Sequence, residues 1–203
     1  MPVPQRTTKH TGDPIPPNSE VIEVHVAELA QLFNAIDPSP FREKDLDPNA
    51  EEFIVNWARE APGDAQLALL VYLDRLTGVP EEPALLRAAL REFFAHRTES
   101  ARQRLSQLFR VGRKSLVIGI AFLGVSIGVS DFVATALIGK NIGEILHESF
   151  LIGGWVAMWR PLEIFLYDWW PIRTEGRLFE RLAAMPVRIA DAEDAIRNAW
   201  PLD

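Results

Sequence analysis

The sequence predicts a mixed α+β protein: a small β-α-α-β-α domain, then a transmembrane helical hairpin, then C-terminal amphipathic helices. Three observations carry this. Leu116–Ile138 is a run of twenty-three residues with Asp131 as its one charge. At the helical rise that is roughly 34 Å, enough to cross a hydrocarbon core of about 30 Å. Val21–Val26 (VIEVHV) alternates aliphatic residues with Glu23 and His25, the period-two mark of a half-buried strand. Asp47-Pro48 followed by Glu51 and Glu52 reads as a helix start: an aspartate N-cap, proline at the first helical position and acids matched to the helix dipole.

In chain order, residues 1–19 carry five prolines and no apolar run, so they read as a disordered tail and not as a signal peptide. Residues 20–111 form the predicted domain. After the first strand, Ala27–Ile36 places Leu29, Leu32, Phe33 and Ile36 at helical spacing, and Asp37-Pro38-Ser39-Pro40 stops it. The helix opened by Asp47 presents Phe53, Ile54 and Trp57 as its expected buried stripe and ends at Pro62-Gly63. Leu67–Leu73 (LALLVYL) is a second strand candidate, although a short apolar run fits helix as well. Glu81-Glu82-Pro83 opens a long helix with Leu85, Leu86, Ala89, Leu90, Phe93 and Phe94 on one face. It is expected to run through Leu105, Leu108 and Phe109 toward the apolar span, with Gly112 as the expected break. Two strands make a marginal sheet. Either helices roof it, or its open edge pairs with a second copy, and the latter is the ground for expecting a dimer.

Residues 112–172 form the hairpin. Its second segment, Ser149–Trp170, contains Arg160, Glu163 and Asp168, with Trp155, Trp159, Tyr167, Trp169 and Trp170 as expected interface anchors. The alternative, a hairpin buried in a soluble core, needs a long run free of charge that few soluble helices keep. Arg102, Arg104, Arg110, Arg113 and Lys114 precede the first span, and Arg173, Arg177, Arg181 and Arg188 follow the second. The connection Gly139–Glu148 has Lys140 against Glu144 and Glu148. The excess of Lys and Arg marks the cytoplasmic side, so both termini are expected there. In residues 173–203, Thr174 is the expected cap of a helix over Glu175–Met185, and Pro186 separates it from an amphipathic helix over Arg188–Trp200.

A net charge of −7 argues against a nucleic-acid binder, which carries a basic domain. The basic residues that do cluster lie beside the spans, where the lipid bilayer is the expected partner. With no cysteine there is no disulfide, thiol nucleophile or thiolate-held metal.

Few residues could carry chemistry. Gly124 and Gly128 form a GxxxG step, on one face with Val117, Ala121, Asp131 and Thr135. On the second helix Gly153, Ala157 and Arg160 share a face, and the two small-residue stripes are expected to meet. Asp131 must pair, face water or carry a proton, which makes it the first candidate for an ion or proton site. Arg160 is expected about 10 Å from it in depth, and reaches Glu163 more simply at i,i+3. Pro161 is expected to break or kink the helix, leaving Leu162–Trp170 along the interface. Glu144-x-x-His147 with Glu148 resembles half of a di-iron motif, but a second copy is missing, so no metal or cofactor is expected. No nucleotide-binding or hydrolase motif occurs, and no catalytic residue is assigned.

The stretches LFNAIDPSPF and KDLDPNAEEFIVNWARE, and above all LIGGWVAMWRPLEIFLYDWWPI, resemble a family of uncharacterised small bacterial two-span membrane proteins. That resemblance implies a bacterial inner membrane and transfers no catalytic residue. The expectation is an oligomeric membrane-anchored scaffold or regulatory adaptor, a homodimer or bound to a membrane-protein partner. The alternative is a subunit of a small ion or proton transporter or channel using Asp131 and Arg160.

Overall fold

The structure, a computed structural model, describes residues 11–38, 44–74, 82–136 and 140–192. The side chains of Thr11, Glu82, residues 133–136, residues 140–144, Leu146 and His147 lie outside that description. The chain divides into two compact units: Met1–Glu99 with Gly176–Asp203, and Ser100–Glu175.

The first unit is built on a sheet of four strands in the order β1-β4-β3-β2. β2 (Ser19–Val26) buries Ile22 and Val24 and exposes Glu23 and His25, as its alternation predicts. β3 (Gln66–Leu73) is the apolar run LALLVYL, and its composition suits a strand covered on both faces. The two are parallel, from Ser19 opposite Gln66 to Val26 opposite Leu73. β4 (Val187–Asp191) lies parallel on the other side of β3, from Leu69 opposite Val187 to Leu73 opposite Asp191. β1 (Thr11–Gly12) closes the far edge antiparallel to β4. Gly12 sits there at φ 136°, where a Cβ would come within 2.6 Å of the Val187 carbonyl oxygen. Only glycine tolerates both the angle and the approach.

Parallel neighbours need crossover connections. β2 reaches β3 through a 3-10 turn (Leu29–Leu32) and helix α1 (Pro48–Glu60). β3 reaches β4 through everything from α2 (Glu82–Ala136) and α3 (Lys140–Glu163), by a π-helical turn (Ile164–Asp168), to α4 (Trp169–Ala184). The helical hairpin is therefore an insertion between two adjacent strands of one sheet, and not an appendage after the domain.

One core joins the strands and the helix segments of this unit. Ile22, Val24, Leu69, Val71, Val187 and Ile189 occupy one sheet face. Ile54 and Ala58 of α1, Leu86, Leu90 and Phe94 of α2, and Phe179 and Leu182 of α4 belong to the same cluster. Phe94 is fully buried and stacks on Phe179 at 6.3 Å between ring centres. Its removal costs about 3–5 kcal/mol on the scale of large buried aromatics. Asp13 pairs with Arg87, Glu51 pairs with Arg97, and Arg181 donates to the carbonyls of Pro62 and Ala65 at 2.9 and 2.7 Å. On the opposite sheet face His25 stacks on Tyr72, its partner in register, at 4.6 Å.

Several sequence expectations change. The helix expected over Ala27–Ile36 is a single 3-10 turn. The backbone there bonds to the segment ahead of α1: Asn34 N–H donates to the Asp45 carbonyl at 2.8 Å, and Asp47 N–H to the Leu32 carbonyl at 2.9 Å. Those bonds make Phe33 a strand-like bridge to Leu46. α1 starts as predicted, with Asp47 Oδ1 accepting from the Asn49 backbone N–H at 2.9 Å and proline at the first position. Its buried face is rotated to Ile54, Val55 and Ala58, leaving Phe53 exposed and Trp57 half-buried.

The helix does not break at Gly112; it runs on to Ala136. The amphipathic helix expected from Arg188 begins instead as strand β4, and residues 193–200 lie outside the described residues. Thr174 is no N-cap, because its hydroxyl donates to the Trp170 carbonyl within α4, 3.0 Å away. The tail expected over residues 1–19 contains β1 and the first residue of β2, with 1–10 outside the description. The sheet is also larger than the two strands expected: β3 has β4 of the same chain on one side, and β2 forms the outer edge on the other.

Candidate functional site

The residues singled out in the sequence lie in the second unit, on α2, α3 and the π-helical turn. Where α2 and the chain of α3 and its π turn pack, the seam is set by Gly112, Gly119 and Gly154 and not by the GxxxG glycines. A Cβ on Gly112 would meet Ile164 Cγ2 at 2.8 Å and Phe165 at 3.3 Å. One on Gly119 would meet Met158 Sδ at 2.9 Å and the Ala157 carbonyl oxygen at 3.2 Å. One on Gly154 would meet Leu123 Cδ1 at 2.7 Å and Ser126 Cβ at 3.2 Å. Small residues let the backbones approach closely, the packing mode that apolar helices use in lipid.

Gly124, Gly128 and Gly153 are not in the seam. A Cβ on any of the three would meet nothing within 4 Å, so the two expected stripes do not meet. Ala157 does lie at the seam, through its carbonyl against Gly119. Helix rotation explains the difference: neighbours such as Gly153 and Gly154 point about 100° apart, so only one can face the partner. Thr135, placed on the same expected stripe, lies outside the described side chains.

Pro161 has a specific place in this seam. Lacking an N–H, it leaves the Ala157 carbonyl without its usual helical donor. That carbonyl is the one facing Gly119, and Pro161 Cγ lies 3.6 Å from the same point. The helix is not broken at Pro161. It continues to Glu163, widens into the π turn Ile164–Asp168 and resumes as α4. Leu162–Trp170 therefore stays in the helix.

Arg160 donates to Glu163 Oε2 at 2.9 Å, the i,i+3 pair predicted, and lies 3.3 Å from Asp168 Oδ2. Eight residues of α-helix rise about 12 Å. The wider π turn shortens that reach, and the long arginine side chain closes it. All three groups are at least partly exposed, so the cluster is a surface ion-pair set of modest stabilising value, about 0–1 kcal/mol per pair in water.

The seam contacts also fix depth. With Gly112 opposite Ile164, Gly119 opposite Met158 and Gly154 opposite Leu123, Asp131 is level with residues 146–147 and Arg160 with Val117. The two are about thirteen residues apart in depth, roughly 20 Å. That doubles the separation read from the sequence, because α3 already begins at Lys140, so Ile142 lies within it and not at the centre of a turn. Asp131 is exposed and lies five residues, about 8 Å, before the end of α2. Glu144 and His147 have side chains outside the description.

Large apolar residues cover the outside of this unit. Val117, Ile118, Val125 and Phe132 on α2, and Ile152, Trp155, Val156 and Trp159 on α3, are all more than 60% exposed. On α2 this exposed belt runs from Val111 to Phe132, about 32 Å of helix. Tyr167 and Trp170 are exposed near its start, as interface anchors would be. Trp169 is turned partly inward: its Nε1–H donates to the Phe165 carbonyl at 2.9 Å, and the Arg173 guanidinium lies 5.7 Å above its ring. Trp155 is level with Phe122, about eleven residues of helix from the start of the belt at Val111, and Trp159 is about one turn nearer that start.

Among the described residues, one helix segment, Pro83–Phe132, is long and apolar enough to cross a membrane, and its most apolar window is 17% buried. No protein family, curated protein or solved structure matches this chain. The resemblance seen in the tryptophan-rich stretch stands on those residues alone.

Proposed function

We propose that the protein is a membrane-anchored scaffold or regulatory adaptor, with a cytoplasmic α/β domain carried on a hairpin that crosses the bilayer twice. The observation that carries this reading is connectivity. The hairpin is the β3-to-β4 connection, and β3 and β4 are hydrogen-bonded neighbours. A chain that leaves and re-enters one sheet must cross a bilayer an even number of times. The low burial of the apolar window supports lipid over a soluble core as its surroundings, since a core helix of a soluble protein is mostly covered. The Lys and Arg that flank the hairpin support a cytoplasmic side for the domain and both termini. A bacterial inner membrane follows only from the resemblance.

The adaptor role rests on what the domain offers. It has a closed core and, among the described residues, an outer edge strand, β2, that offers its edge to a partner strand or a second copy. The transporter alternative needs Asp131 and Arg160 to act together. Their separation of roughly 20 Å, with Arg160 engaged by Glu163 and Asp168, gives that reading no support. The test is purification in mild detergent, with mass measured by light scattering for the wild type and Asp131→Asn. A second copy or a stoichiometric companion retained by both supports the adaptor. Monomer alone at every concentration overturns it, and so does proton or ion flux in proteoliposomes that Asp131→Asn abolishes.

A further inference from the structure

Beside the α2–α3 seam lies an open groove of about 440 Å³, lined by Val111, Lys114, Ile118, Gly119, Phe122 and Ala157. Gly119 lines the groove where α2 comes closest to α3, since a Cβ there would already meet Met158 Sδ at 2.9 Å. Apart from Lys114 and the hydroxyl of Ser115, every lining group is apolar or backbone. Lys114 is exposed and lies near one end, one helical turn inside Val111, one turn from Arg110 and next to Arg113. Among the described residues no carboxylate pairs with any of these three cations. From Lys114 to Phe122 the groove follows eight residues of α2, about 12 Å, close to the ~15 Å of hydrocarbon in one leaflet.

We propose that this groove holds one anionic glycerophospholipid of the domain-side leaflet, with an acyl chain along Ile118, Gly119 and Phe122 and its phosphate at Lys114 and Ser115. Charge complementarity selects this occupant. A partner helix seated here would bury an unpaired lysine, which is costly. A lipid keeps the ammonium at the headgroup level and satisfies it with phosphate. Lys114 is the cation that lines the groove, so it is the group by which the site distinguishes an anionic headgroup from a zwitterionic one. The inference rests on the hairpin lying in a bilayer, as proposed above.

The full chain is reconstituted in vesicles of equimolar phosphatidylglycerol and phosphatidylcholine, extracted in mild detergent, and its retained lipid counted by native mass spectrometry. The wild type is expected to keep one phosphatidylglycerol about fivefold over phosphatidylcholine, the preference that one near-surface lysine supplies. Lys114→Gln should remove that preference, and Ile118→Trp, which fills the groove, should remove the retained lipid of both kinds. Arg104→Gln, outside the groove, should leave the wild-type ratio. Equal retention of the two lipids by the wild type, or a preference that survives Lys114→Gln, overturns the site. Carbonate washing of the same vesicles separates the two levels of the argument: protein that washes off refutes the bilayer placement, whereas protein that stays without lipid preference refutes only the groove.

Discussion

Gly153 and Gly154 are adjacent, chemically identical and placed on different sides of α3, so leucine at each provides a matched test of the seam. At Gly154 the first added carbon would lie 2.7 Å from Leu123 Cδ1, 3.2 Å from Ser126 Cβ and 3.4 Å from Leu123 Cα. The Leu123 methyl can rotate away, but the Ser126 Cβ and the Leu123 backbone can move only with α2. The rest of the leucine side chain then has no space without separating the helices. Overpacking of this kind costs about 1–3 kcal/mol. At Gly153 the same carbon meets nothing within 4 Å, and an exposed substitution stays within about 0.5 kcal/mol of neutral. The measurement is unfolding in mild detergent by titration with a denaturing detergent, followed by tryptophan fluorescence. Four of the six tryptophans, Trp155, Trp159, Trp169 and Trp170, report from this region. Gly154→Leu should shift the midpoint well below the wild type, and Gly153→Leu should overlay it. A Gly153→Leu that is as destabilising as Gly154→Leu would mean that the α2–α3 seam is rotated from the one described.

Two further substitutions address the first unit. Ile189 is fully buried in β4, so Ile189→Ala should destabilise the domain by about 2–5 kcal/mol in denaturant titration followed by far-ultraviolet circular dichroism; a change under 0.5 kcal/mol would return that segment to a surface helix. Asp47→Ala removes the acceptor for the Asn49 N–H and should cost about 1 kcal/mol in the same assay, with Asp47→Asn recovering most of it. Loss equal in both variants would argue for a charge effect and not a cap.

The parts of this fold that were legible in the sequence are those fixed by local chemistry. Asp47-Pro48 announces α1 because the cap and the missing N–H act within one turn. The alternation of β2 and the unbroken apolar run of β3 are written in six to eight residues each. The long helix is legible from Leu85, Leu90 and Phe94 onward, and the Arg160–Glu163 pair from its spacing. What the sequence did not yield depends on partners far along the chain. VRIAD is too short to mark itself as a strand, and it becomes one because β3, more than a hundred residues earlier, offers it an edge. Phe33 has helical neighbours in sequence, yet the backbone groups of Leu32 and Asn34 on either side of it bond across to Asp47 and Asp45 and make it the bridge partner of Leu46. The same holds in the hairpin. Gly112 reads as a breaker but is a point of close approach to Ile164, and which glycines face the seam is decided by helix rotation about a register that single-helix spacing does not contain. The shift of that register also moves Asp131 toward the tip and away from Arg160.

The account turns on a hairpin inserted between two neighbouring strands, so that the chain returns to the side from which it left. Its most direct test is a set of compartment-sensitive reporters on the full chain, one before Thr11, one at residues 137–139 and one after Asp203, read in intact bacterial cells. The account predicts that the first and last report the cytoplasm while the middle one reports the far side of the membrane. Termini on opposite sides, or a middle reporter that stays in the cytoplasm, would contradict it.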